Sequence, residues 1–377
     1  MTQLRRTLIV WAALMGLFAL FIVWVNRHGD RAVKTVEVRA KLTKGLELES
    51  ADRLDDAIAE YRGAIGIDDK ALRPRVLLVK AYLQGGRLDD ALSEAEETVK
   101  IAAGKNRVSA LLLLGGVCLE MSLWDRARTA LEEVIRMSPR CAEAHYKMAE
   151  VAEAMRMYPQ MVKELRMVAR LGARGSSPEY KAARELSQQE VARYREELKE
   201  RGESAETYYR LAVQCKDTGL WDDAVAAFEK AASLGQNQGD VSFWLGVQAE
   251  VEGSIADAVV HYRTAVEACP NHLDALVSLE LLLLRQKVAE QPNDASAWYK
   301  LGLLHFSFRN WEEASRNFSK AADIDPGLAD AHFRLGLSLE ELGKTADARA
   351  EYTEAVKLLP THLPALEALR RLGPRGQ

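Results

Sequence analysis

Gly343, Lys344 and Thr345 have the residue types that end a phosphate-binding loop, which raises the question of nucleotide chemistry. Such a loop needs a second glycine five residues earlier, at the end of a strand, because successive backbone N–H groups must wrap the phosphates. Position 338 is Ser338. Leu335, Leu339 and Leu342 before the triplet, and Ala348, Tyr352, Ala355 and Val356 after it, recur at three- and four-residue steps. That period is helical, so the triplet reads as a turn between two helices.

Metal and redox chemistry lack their spacing as well. Cys118, Cys141, Cys215 and Cys269 lie far apart, with no C-x-x-C pair and no nearby histidine ladder, and a zinc or dithiol site needs both. Thiols outside a disulfide pattern favour a reducing compartment. The 7 histidines are scattered and none forms an H-E-x-x-H pair, so each reads as a core or surface residue. Asn317, Phe318 and Ser319 spell a glycosylation sequon, but on a segment that reads as mid-helix rather than as the exposed loop an acceptor needs. No nucleophile, base and orienter converge. No catalytic residue, metal ligand or cofactor is therefore assigned, and the chain reads as non-enzymatic.

With 377 residues, 28% of them charged and a net charge of -4, the chain lacks the basic face of a nucleic-acid binder. It is also too long for one ordinary domain unless it is a repeat array, which no single core limits.

Residues 7–25 carry no charge, and a helix of that length spans roughly 28 Å, close to the hydrocarbon thickness of a bilayer. Trp11 and Trp24 stand near its ends, where indole rings favour the interface. A cleaved signal peptide would have a shorter apolar core ending in small residues, whereas this one ends Val23, Trp24, Val25, Asn26, Arg27. The expectation is a tail at 1–6, a transmembrane helix at 7–25 and a juxtamembrane segment at 26–37. Arg5 and Arg6 precede the span, and Arg27, Arg31, Lys34, Arg39, Lys41 and Lys44 follow it. The count places the following side in the cytoplasm; an Arg-Arg pair is also how N-in anchors begin, which would make that side periplasmic or lumenal.

A period of 34 runs through the rest. Leu301 and Gly302 become Leu335 and Gly336, Ala314 becomes Ala348, Phe318 becomes Tyr352, Ala321 becomes Ala355 and Pro326 becomes Pro360. A fixed period of this length signals stacked supersecondary units. Gly246, Gly302 and Gly336 remove a side chain where a first helix crosses a second; Ala57, Ala91, Ala127, Ala224, Ala258, Ala314 and Ala348 do so from the second helix. Tyr61, Leu131, Leu165, Phe228, Tyr262, Phe318 and Tyr352 fill the space beside them, and Pro139, Pro270, Pro326 and Pro360 end the second helix.

The spacing W-x-x-L-G, A-x-x-x-F and P resembles the tetratricopeptide repeat, with His305 at the usual tyrosine position. The resemblance implies an all-α superhelical solenoid, preceded here by a single transmembrane helix. The expected units are 38–71, 72–105, 108–141 and 142–175 in a first array (38–175). Residues 176–204, opened by Ser177 and Pro178, read as a connecting helix or as a helix that binds a partner. The units 205–238, 239–272, 295–328 and 329–362 form a second array (205–362), with a truncated unit at 273–294. Residues 363–377 form a capping helix and tail.

In repeats of this family, one stripe of the first helices lines a concave groove. Here it comprises Tyr209, Val213, Phe243, Val247, Tyr299, Leu303, Phe306, Phe333 and Leu337, edged by Glu206, Asp240 and Asp330. Such a groove suits an amphipathic helix or extended peptide with a few basic residues; the other reading of the aromatics is support for neighbouring helices. Carboxylate-clamp members need Lys and Asn where this chain has Leu42, Leu46 and aromatics. The expected function is a membrane-anchored interaction scaffold or assembly factor for protein or peptide ligands, a layout similar to bacterial envelope-assembly proteins. The alternative is a self-assembling structural protein forming a membrane-associated homo-oligomer. Phe243→Glu with Phe333→Glu is expected to abolish capture and leave helical content nearly intact.

Overall fold

The computed structural model describes residues 33–173, 176–235 and 238–373. Among these the chain is helical throughout, with nineteen helices and no strand. The span expected at residues 7–25 lies outside the described residues. Among the described residues no helix is long and apolar enough to cross a membrane, and the expected localisation, a single-pass membrane protein with a cytoplasmic repeat domain, is corrected on that finding. The physical reason is amphipathicity. In the helix Trp124–Met137, for instance, Ala127, Ala130, Leu131 and Val134 are buried along one stripe while Asp125 and Arg136 stand in its first and last turns, the pattern of a helix packed on neighbours rather than on lipid.

The chain forms two compact units, one ending at Met121 and one beginning at Ser122. In the first, α1 (33–50), α2 (Leu54–Ile67), α3 (Leu72–Gln84), α4 (Leu88–Ile101) and α5 (Lys105–Glu120) pack in order. Their core holds Leu42, Tyr61, Leu78, Val79, Tyr82, Ala91 and Val117. The second unit continues with α6 (Trp124–Met137), α7 (Ala142–Ala154), α8 (Tyr158–Leu171), the 24-residue α9 (Pro178–Arg201), α10 (Ala205–Asp217), α11 (Trp221–Ser233), α12 (Gln238–Glu252) and α13 (Ile255–Ala268). A lone helix follows, α14 (Leu273–Glu290), and then α15 (Ala295–Ser307), α16 (Trp311–Ile324), α17 (Ala329–Glu341), α18 (Thr345–Leu358) and α19 (Leu363–Arg371).

Helix ends follow local chemistry. The Ser177 side chain accepts from Tyr180 N–H at the start of α9, with Pro178 in the first turn, and Asp294 accepts from Ala297 N–H at the start of α15, each satisfying a donor the helix leaves unbonded. Within helix pairs the chain reverses through one left-handed residue. Gly86, Gly219, Gly253 and Gly343 supply it at φ 67°, 77°, 80° and 74°, and Asp52, Arg156 and Arg309 at φ 59°, 54° and 57°. Gly343 is thus the reversal between α17 and α18, Lys344 precedes the first residue of α18, and Ser338 is buried inside α17. No strand leads into the triplet, so it presents no phosphate cradle.

The packing rule is steric. All seven second-helix alanines are fully buried, as are Tyr61, Leu131, Phe228, Tyr262, Phe318 and Tyr352. A Cβ added to Gly246, Gly302 or Gly336 would stand 2.6, 2.6 or 2.5 Å from the ring of Tyr262, Phe318 or Tyr352. Gly45, beside Lys44 in the same register, meets Tyr61 in the same way. Where the buried ring is a tyrosine, a glutamate twelve residues earlier accepts its hydroxyl: Tyr61 to Glu49 at 2.8 Å, Tyr262 to Glu250 at 3.0 Å and Tyr352 to Glu340 at 2.7 Å. Burial and these carboxylates push all three phenols far up. Phe318 and Phe228 need no acceptor, and the matching positions hold Phe306 and Lys216. Buried hydroxyls and their partners vary together because an unbonded one is costly.

Candidate functional site: the face of the first helices

The nine candidate groove residues sit on α10, α12, α15 and α17, and the structure divides them. On α15 and α17, Tyr299, Leu303, Phe306, Phe333 and Leu337 are half-buried. The first three pack at their bases on Ala314, Phe318 and Leu335. Phe333 and Leu337 rest on Tyr352 and Ala368. The Arg334 guanidinium lies 5.5 Å from the Phe306 ring centre and 6.0 Å from that of Phe333, a cation over two ring faces. On α10, Tyr209 and Val213 are also half-buried, and the Tyr209 hydroxyl donates to Asp240 at 3.0 Å. Burial and the Asp240 carboxylate push that phenol up to about 12. Glu206 and Asp330 are exposed along the edge, and His362 Nε2 lies 3.2 Å from Asp330.

Phe243 and Val247 on α12 are different: they are only 2% and 0% exposed, because the chain covers them itself. The start of α8 enters this face, and Tyr158 sets its ring edge-on to Phe243 and Trp244 at 5.1 and 5.9 Å. The Tyr158 hydroxyl donates to Asp274 in the first turn of α14 at 2.9 Å. Arg156, in the α7–α8 reversal, pairs with the same carboxylate, donates to the Tyr158 hydroxyl at 3.1 Å and lies 5.0 Å over the Phe308 ring. Met157 Sδ approaches Asn310 Nδ2 at 3.5 Å. Ion pairs flank the contact, Lys216 to Glu153 at 2.9 Å, Arg166 to Asp222 at 3.0 Å and Arg128 to Glu312 at 3.1 Å. Tyr158, Met161, Val162, Trp221, Phe243 and Val247 join one core cluster. Arg156, Tyr158 and Asp274 were not among the sequence candidates. The sequence carried no signal for them, since Arg309 stands at an equivalent reversal with a similar φ of 57°.

Acid–base chemistry finds little here. Burial pushes the Cys215 thiol up to about 11 and raises that of Cys141, the opposite of an activated nucleophile. Among the described residues no group of three or more His, Cys, Asp or Glu could hold a metal ion.

Two buried histidines make the second unit pH-sensitive with opposite signs. His305 has its pKa pulled down to about 4, chiefly by burial and further by Arg285. The folded chain keeps it neutral while the unfolded chain protonates near 6.5. Its contribution is present above that value and lost as pH falls from about 6.5 towards 4. His145 Nδ1 stands 2.6 Å from Glu164 and its Nε2 3.2 Å from the Pro139 carbonyl, and the Glu164 hydrogen bond raises its pKa. That contribution is present below about 6.5 and lost as pH rises through the folded value. Urea midpoints measured from pH 7 to 4.5 should fall less steeply in His305→Gln than in the parent; identical slopes would assign the acid loss to other groups.

Two family models, both described as tetratricopeptide repeat, match residues 48–114 and residues 112–156, 216–272, 279–329 and 299–362, together well over half of the chain. The chain belongs to the tetratricopeptide repeat family. Among curated relatives, Superkiller complex protein 3 of Mus musculus is 23% identical over 335 residues, 75% of this chain and 20% of that protein. Anaphase-promoting complex subunit 6 of Arabidopsis thaliana is 33% identical over 101 residues, 25% of this chain and 19% of that protein. The chain therefore spans about a fifth of the length of these relatives. Of solved structures, yeast Tom70 is similar with a TM-score of 0.25 and 15% identity, covering 90% of this chain and 95% of that one.

Proposed function

We propose that the protein is a non-enzymatic interaction scaffold that captures a peptide or amphipathic helix of a partner on the face of its first helices, with Tyr299, Leu303, Phe306, Phe333 and Leu337 as the apolar contact. The observation that carries this reading is the half-exposure of that stripe on successive first helices, beside a stretch of the same face that already holds an aromatic-bearing turn of the chain itself. Aromatic and aliphatic anchors in a partly desolvated groove are where binding energy concentrates. Exposed Asp330 and Glu206 at the edge favour a ligand with basic residues. The two curated relatives are named as members of multiprotein complexes, which agrees with a scaffold role.

A photo-crosslinking residue at Leu303 or Leu337 tests it, with Val260 on α13, 59% exposed on a second helix, as the control. A defined partner adduct from the first two positions, at least tenfold weaker when Phe306→Glu is added, is the expected result. Adducts of equal yield from Val260 would remove the groove from consideration.

A further inference from the structure

α14 is a first helix without a second. Shifting α12 by the 34-residue period sets Ser242, Gly246 and Ala249 over Leu276, Glu280 and Leu283. In α12 those three residues are buried, and Gly246 lies against the Tyr262 ring of α13, the second helix of its pair. In α14 all three positions are exposed, Leu276 and Leu283 at 39% each, with Leu273 at 59% on the same side one turn earlier. The helix also runs on for 18 residues through Lys287, the position where Gly253 reverses α12 into α13. Among the described residues no left-handed residue lies between Gly253 and Arg309, so the chain does not fold back over this side.

Other sides of α14 hold it in the fold. Ala275 and Leu282 join the core that contains Phe243 and Tyr262, and Leu284 and Val288 pack on Ala297 and Leu301 of α15. Leu273, Leu276, Glu280 and Leu283 recur at steps of three and four, the spacing of a two-helix seam. Glu280 stands in the middle of that seam, exposed and with no ion pair or hydrogen bond among the described residues. The nearest cations along the helix are taken, Arg285 by Glu250 at 3.2 Å and Lys287 by Asp294 at 2.7 Å. This charge decides what can lie there. A second copy of the chain fits poorly in either direction: a parallel seam sets Glu280 against its own copy, and an antiparallel one sets it against a leucine, burying a carboxylate with no counter-charge. A helix with leucines flanking one lysine or arginine satisfies both the seam and the charge.

We infer that the side of α14 bearing Leu276, Glu280 and Leu283 is a docking surface for one amphipathic helix of a partner protein, leucine-rich and with a central lysine or arginine that meets Glu280. The surface is separate from the groove of the first helices, whose positions on α14 are the half-buried Val277 and Leu281. The incoming helix takes the place of the second helix that this unit lacks. It does so at a wider spacing, because Leu276, Glu280 and Leu283 stand where Ser242, Gly246 and Ala249 admit a close approach, and interaxial distance follows the side chains at the contact.

The test uses the full chain and two fluorescent synthetic helices of three heptads, with leucine at every seam position except a central one, which is lysine in one peptide and glutamate in the other. The parent should bind the lysine peptide at least tenfold more tightly than the glutamate peptide, and Glu280→Lys, at an exposed site, should reverse that order. Leu276→Gln combined with Leu283→Gln should weaken the lysine peptide at least tenfold, with circular dichroism to confirm the fold. Leu186→Gln on α9, at a leucine 64% exposed away from the seam, should leave its affinity unchanged. Equal affinity for the two peptides, or an order that Glu280→Lys does not reverse, overturns the proposal. So does a dimer of the parent in sedimentation that the two glutamine substitutions dissociate, since the side would then be an interface between copies.

Discussion

Gly302→Ala is expected to destabilise the Ser122–Gln377 unit by about 3 kcal/mol, the upper end of what overpacking a dense core costs. A methyl there would lie 2.6 Å from Phe318 Cδ1 and 2.7 Å from Cε1, far inside van der Waals contact, and Phe318 is fully buried with no space to turn into. Intrinsic propensity works in the other direction, since alanine is favoured over glycine in a helix by about 1 kcal/mol; sterics win because the ring cannot give way. Gly66→Ala on α2 is the control. Nothing stands within 4 Å of its added Cβ, so propensity alone acts and stability should hold or rise slightly. The paired change Gly302→Ala with Phe318→Leu should recover part of the loss, a coupling that marks direct contact. Urea unfolding followed by far-UV circular dichroism measures all three, and equal effects of Gly302→Ala and Gly66→Ala would show that the crossing is not tight.

The second large effect is expected at Phe243. Phe243→Ala should cost the same unit about 3–5 kcal/mol, as for a buried aromatic truncated in a core. Its ring is surrounded by Tyr158 at 5.1 Å, Trp244 at 4.7 Å, Tyr262 at 5.9 Å and His272 at 5.1 Å. Phe243→Glu would be worse, because it buries a carboxylate among apolar rings with no cation planned for it. The earlier expectation that this change spares helical content is therefore revised. Phe306→Ala, at a half-buried site on α15, should cost about 1–2 kcal/mol and act mainly on ligand capture. Thermal melts of the two single variants separate them; a Phe306 variant as unstable as the Phe243 variant would place both rings in the core.

Phe243 and Phe333 show what the sequence could and could not convey. Both occupy the same register of a first helix, and that register was legible because neighbouring units repeat every 34 residues, as Leu301 and Leu335 or Phe318 and Tyr352 do. The crossing of Gly302 over Phe318, the burial of the second-helix alanines and the role of Gly343 follow from such local relations. What covers Phe243 does not. Whether Tyr158 meets α12 depends on how small rotations between units accumulate through α9 to α12, and no single residue encodes that sum. The reversals at Asp52, Arg156 and Arg309 were hidden for a related reason: glycine is the usual mark of a left-handed residue, and side chains that tolerate the conformation at a cost leave no mark.

The bond from Tyr158 to Asp274 joins residues 116 positions apart, and the Met157–Asn310 approach spans 153. A linear array of repeats has only neighbour contacts, so it can nucleate anywhere and fray from its ends. Closing the chain on itself removes that freedom for the segment between α8 and α16. Its intermediate helices cannot loosen one pair at a time without opening the closure first, so they melt together, and their assembly must wait for a distant meeting that carries a loop-closure penalty. Cooperativity of a kind foreign to an open array is thereby written into two contacts, Tyr158 with Asp274 and Met157 with Asn310.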